Sequence, residues 1–142
     1  MFHAFLALLA GAVLPVQTGV NSSLRAAIGH PIWAAAISFS VGLLTLLVLA
    51  LGLRLGAPNL NNAPFWAYVG GSLGVVYVAL SIVLAPKLGA VALVSLAIAG
   101  QLLASVVLDH FGWLGFAQLS LNPGRMLGVA FLALGVYFVK AF

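Results

Sequence analysis

The sequence predicts an all-α membrane protein with five transmembrane helices per chain, and three observations carry that prediction. Of 142 residues, 65% are hydrophobic and 4% charged, against about a quarter charged in a soluble domain, so this composition cannot build a hydrated surface. The apolar residues form five continuous stretches, each near the roughly 20 residues an α-helix needs to cross the hydrocarbon layer. A membrane β-barrel would alternate apolar and polar residues over strands of about 10 positions, and these runs do not alternate.

The first helix is expected at about Phe2 to Arg25. Its start has neither a basic n-region nor a small-residue cleavage site, so it reads as a retained helix and not a signal peptide. The second is expected at Pro31 to Leu53, the third at Pro64 to Ala85, the fourth at Gly89 to Asp109 and the fifth at Pro123 to Lys140. Pro31, Pro64 and Pro123 each suit a first helical turn, where a missing N–H is harmless and φ is already set. Asn122 precedes Pro123 as an N-cap. The stops are Gly56 and Pro58, then Pro86 and Gly89 around a tight turn, then Gly112 and Gly115. Links this short make consecutive helices antiparallel neighbours within one transmembrane domain over residues 1–142.

Five crossings put the termini on opposite sides, so the cations can be assigned to faces. Arg54 and Arg125 fall on the N-terminal side, and Arg25, Lys87 and Lys140 on the other. Orientation follows an excess of Lys and Arg on the cytoplasmic side, and two against three is almost no excess. The expectation is an antiparallel homodimer of dual topology, two oppositely oriented copies forming a ten-helix inverted repeat of the kind common in transporters. The competing reading is a single orientation set by weaker cues.

Candidate functional residues lie on two polar stripes. Gln17, Asn21 and Arg25 follow one another at i, i+4 and i+8 in the first helix, and Gln101, Ser105 and Asp109 do the same in the fourth. Polar side chains at membrane depth belong on a bundle interior or a cavity. Pro15 removes one intrahelical hydrogen bond beside Gln17 and is the candidate hinge. Ser38, Tyr77 and Ser81 are further candidates for the lining. Paired glutamines from two copies would give four uncharged amides near mid-depth, suited to a small polar solute, or to an anion if Arg25 takes part. The competing reading makes Gln17 and Asn21 interhelical packing contacts and lets Arg25 snorkel to the headgroups. Asp109, the sole acidic side chain, is a weak candidate for proton coupling and otherwise an Arg-paired or solvated helix end. Gly70 with Gly74, and Gly128 with Gly135, mark close helix packing, in the second case within the chain or across a dimer. Trp33, Trp66 and Trp113 fall near segment ends, as interfacial aromatics do.

Other functions find little support. The basic residues are scattered, which argues against nucleic acid as a partner. There is no cysteine, and His3, His30 and His110 have no second ligand at metal spacing, so neither a metal nor a cofactor is expected. No phosphate loop, nucleophile elbow or carboxylate pair occurs, which argues against an enzyme.

Several of these residues also carry a resemblance. Gly11, Pro15, Gln17, Asn21 and Arg25 in the first helix, Pro31 with the stretch Ser38 to Gly42, and Gly70, Gly71 and Tyr77 in the third resemble the YdcZ-like family of the drug/metabolite transporter superfamily. So do the stretches Pro86 to Ala90, Gly100 to Ser105 and Asp109 to Gly112, and Arg125, Gly128, Gly135 and Val136 near the end. The resemblance covers essentially the whole chain. It implies a five-helix unit of a bacterial inner membrane that pairs head to tail and corresponds to half of a ten-helix transporter. Small multidrug resistance exporters in that superfamily couple drug and proton through a carboxylate at mid-membrane in the first helix. Here that depth holds Leu14, Pro15 and Gln17, so the resemblance does not carry the coupling acid over. The expected function is a secondary transporter working by alternating access, with the lipid bilayer, a second copy and a small-molecule substrate as partners. The alternatives are a passive pore and a non-transporting membrane subunit or scaffold.

Overall fold

A computed structural model describes residues 1–58 and 63–141, and every regular element among them is helical. The helices are α1 (Phe2–Ile28), α2 (Pro31–Gly52), α3 (Gly70–Leu88), α4 (Ala90–Phe111) and α5 (Pro123–Ala141), with 3₁₀ turns at Phe65–Val69 and Trp113–Gly115. Counting the first 3₁₀ turn with α3, all five are long and apolar enough to cross a membrane. At 1.5 Å per residue the shortest reaches roughly 28 Å, close to the roughly 30 Å of hydrocarbon.

The boundaries follow local chemistry. α1 runs one turn beyond its expected end and stops at Gly29, whose φ of 82° any other residue would adopt only with strain and whose N–H bonds the Arg25 carbonyl at 2.8 Å. Pro31 opens α2 as expected, and His30 caps it by accepting the Ile32 N–H on Nδ1 at 3.3 Å. α2 ends before Gly56: the N–H groups of Arg54 and Leu55 bond back to the Leu51 and Ala50 carbonyls, with Arg54 at φ 53°. This is a Schellman ending with arginine where glycine is usual. Pro64 sits just outside its helix, in extended conformation, because the chain enters through the 3₁₀ turn.

Pro86 does not stop α3, which continues to Leu88. Proline already has helical φ; what it breaks is the bond to the carbonyl four residues earlier, that of Ile82. Here Ile82 O accepts from Arg25 Nη1 at 3.3 Å instead. Asn122 caps α5, its Oδ1 accepting the Arg125 N–H at 2.9 Å.

The chain divides into two compact units, Met1–Lys87 and Leu88–Phe142. In the first, α1 packs on α2, and α2 meets α3 through a junction of Ala34, Ala35, Val78 and Ile82, against which Leu24 and Tyr77 rest. The junction is made by side chains alone, which suits a membrane, where dispersion contacts hold helices together and water expulsion does not. In the second unit α4 packs on α5. Large apolar side chains are exposed along all five helices, as lipid-facing surfaces require.

Candidate functional site

Helical spacing puts Gln17, Asn21 and Arg25 on one face of α1, the outer two separated by about 12 Å along the axis. Their surroundings differ sharply. Gln17 lies near the middle of the 27-residue helix and is exposed. It lines a cavity of about 370 Å³ with Ser38, Phe39, Gly42, Leu43 and Leu46. One amide and one hydroxyl in an otherwise apolar pocket can orient a small solute without neutralising a charge.

Asn21 is 4% exposed, and its Nδ2 has no hydrogen-bond partner among the described residues. The Ser22 hydroxyl is buried beside it in the same condition. A buried donor left unmade costs about 1–3 kcal/mol, so two neighbouring orphans are unusual in a surface assembled for packing alone. Arg25 is half-buried and closes the stripe, holding Ile82 O. It also lines a second cavity, of about 560 Å³, with Ser22, Ser23, Ala26, Gly29 and Pro86.

Tyr77 and Ser81 go to the α2–α3 junction. Ser81 is 4% exposed and its hydroxyl donates to the Tyr77 carbonyl at 2.8 Å, while Tyr77 packs on the junction core. Pro15 lies inside an α1 that continues through it. Gly74 faces the Phe39 ring, which a Cβ would meet at 3.5 Å; at Gly70, Gly128 and Gly135 a Cβ would meet nothing within 4 Å among the described residues. Of these four glycines, then, only Gly74 makes a close helix contact among the described residues.

The second unit carries the other stripe. Gln101 and Ser105 are exposed on α4, and Gln101 sits near its middle. Asp109 Oδ2 lies 3.6 Å from Arg125 Nη1, with the two side chains 30% and 37% exposed. Around this pair the α4–α5 connection folds back on the helix end. Leu119 N bonds Asp109 O at 2.7 Å, Gln118 Nε2 donates to His110 O at 3.2 Å, and Leu121 N donates to His110 Nδ1 at 3.4 Å. Arg125 Nη1 also donates to Leu119 O at 3.0 Å. The acid is therefore tied into a turn at the end of its helix. Among the described residues no cluster of His and acidic side chains could hold a metal ion.

Sequence reasoning missed Ser22 and the link from Arg25 to α3. A signal for the latter was present: Pro86 follows Ile82 by four residues and so frees its carbonyl inside an apolar segment, where some donor has to meet it.

A family model described as "Putative inner membrane exporter, YdcZ" matches residues 2–138. No curated protein and no solved structure matches the chain.

Proposed function

Since the chain belongs to the YdcZ family of inner membrane exporters, we propose that it is one half of a secondary transporter for a small polar or anionic solute. Two oppositely oriented copies enclose one site near the midplane and exchange conformations around it by alternating access. The observation that carries this reading is Gln17 at mid-span on a cavity shared with Ser38. A neutral polar group at that depth is justified by a ligand or a partner helix far better than by lipid. Gln101 is the corresponding mid-helix amide of the second unit, near the middle of α4. Pro15, beside Gln17, supplies the flexible point, and the glycine faces of α5 at Gly128 and Gly135, open in one chain, suit close approach of the second copy. Asp109, paired to Arg125, is assigned to the helix end and not to proton coupling.

Orientation tests the arrangement first. Single cysteines at each terminus of this cysteine-free chain, probed in intact cells with a membrane-impermeant thiol reagent, are expected to label partially at both ends. Labelling of one end alone overturns the homodimeric inverted repeat. In proteoliposomes, solute flux is expected to saturate and to fall in Gln17→Ala and Gln101→Ala at unchanged thermal stability; flux rising linearly with concentration would mark a passive pore.

A further inference from the structure

A proline in the last turn of α3, an arginine without a carboxylate and two orphaned donors meet near the C-terminal end of α1. Arg25 spends one N–H on Ile82 O, leaving four of the five donors of its guanidinium. The chain's sole acidic side chain, Asp109, is held by Arg125 in the other unit, so no acidic side chain of this protein is left to neutralise Arg25. The cavity that Arg25 lines is also lined by Ser22, whose buried hydroxyl lacks a partner among the described residues, and Asn21 Nδ2 is orphaned in the preceding position. Ser23, also on the wall, already donates its hydroxyl proton to Gly19 O at 3.1 Å, so Ser22 is the hydroxyl with a proton to give.

We infer that this cavity binds an oxyanion, the carboxylate or phosphate group of a ligand, on the Arg25 guanidinium with the Ser22 hydroxyl as second donor. The chemistry is a planar fork matched to two oxygens of one anionic group, next to a neutral donor without a partner among the described residues. The carbonyl ends of α1 and α3 oppose an anion here with about half an elementary charge each. Two full cations outweigh them, Arg25 and Lys87, the latter following the cavity-lining Pro86. The inference narrows the transport reading to anionic solutes, and rests on that reading only for what the bound anion does. The same chemistry is offered by a free carboxylate or phosphate ion and by the phosphate of a lipid headgroup.

Binding is measured apart from flux. The purified full chain in non-ionic micelles is titrated with sodium acetate and with inorganic phosphate against sodium chloride at constant ionic strength, following thermal unfolding. At ten times the dissociation constant the midpoint is expected to rise on the order of 5 °C over chloride. Arg25→Met alone strips Ile82 of its donor and can fail to fold, so the deciding variant is Arg25→Met with Pro86→Ala, in which the restored backbone N–H at position 86 serves Ile82. This double variant is expected to fold and to lose the anion response, and Ser22→Ala to weaken it about tenfold with the Ile82 contact intact. In phosphatidylcholine nanodiscs, a response to acetate or phosphate assigns a free solute. Stabilisation by added phosphatidylglycerol alone, lost in the double variant, assigns a lipid headgroup. No anion-specific shift with any of the three probes, or an equal shift in the double variant, overturns the site. Anion binding without flux would leave the site standing and sink the transport reading; flux without anion binding would do the reverse.

Discussion

α1 and α4 carry the same pattern, an amide at mid-helix, a small polar residue one turn on and a charge two turns on, and the structure treats the two charges in opposite ways. On α4 the charge is Asp109, met by Arg125 and enclosed by the following turn. On α1 it is Arg25, which reaches a backbone carbonyl 57 residues away and meets no acidic side chain, beside donors still unfilled. Spacing alone therefore does not distinguish a finished helix end from an open site. What does is whether each polar group's partner already lies within the chain.

The largest test of this contrast sets the two arginines against each other. Arg25→Met leaves Ile82 O without a donor in an apolar setting and is expected to destabilise the protein by about 3 kcal/mol, read as a drop in the thermal midpoint in micelles. An unchanged midpoint would mean that water or lipid already serves that carbonyl. A smaller effect of opposite sign is expected at Asn21. Replacing an amide whose Nδ2 has no partner among the described residues by leucine removes a desolvated donor and should stabilise by about 1 kcal/mol, while lowering flux in proteoliposomes. Destabilisation there would show that the amide has a partner in the assembled protein. The smallest effect belongs to Arg125→Gln. A partly exposed pair contributes about 0–1 kcal/mol and is weakened by salt, so the variant should differ from the parent chiefly at low ionic strength. A change larger than that of Arg25→Met would reverse the comparison.

Much of this was legible in the residues. The five spans, the opening of α2 and α5 at Pro31 and Pro123, and the Asn122 cap depend on composition and on neighbours within a few positions, which a linear reading sees. Membership of the exporter family, with its inner-membrane location, was visible in residues scattered from Gly11 to Val136, and the family match covers them. Pro86 was misread as a stop because its effect on α3 depends on a guanidinium from α1, and no periodicity reports a contact so distant in sequence. Arg54 in a left-handed ending was equally hidden, since glycine two positions later was the stronger local signal. The burial of Ser81 and the orphaning of Ser22 are tertiary facts: both are serines on apolar helices, and only packing tells them apart.

The turn after α4 has a further implication. Gly112, at φ 65°, lets the chain double back so closely that a Cβ there would meet Gln118 Cβ at 3.2 Å, and the helix end finds its hydrogen bonds within the next dozen residues. A connector that supplies its own partners asks nothing of the compartment it faces. It would fold alike in cytoplasm or periplasm, and a duplicated gene copy inserted upside down would inherit it without redesign.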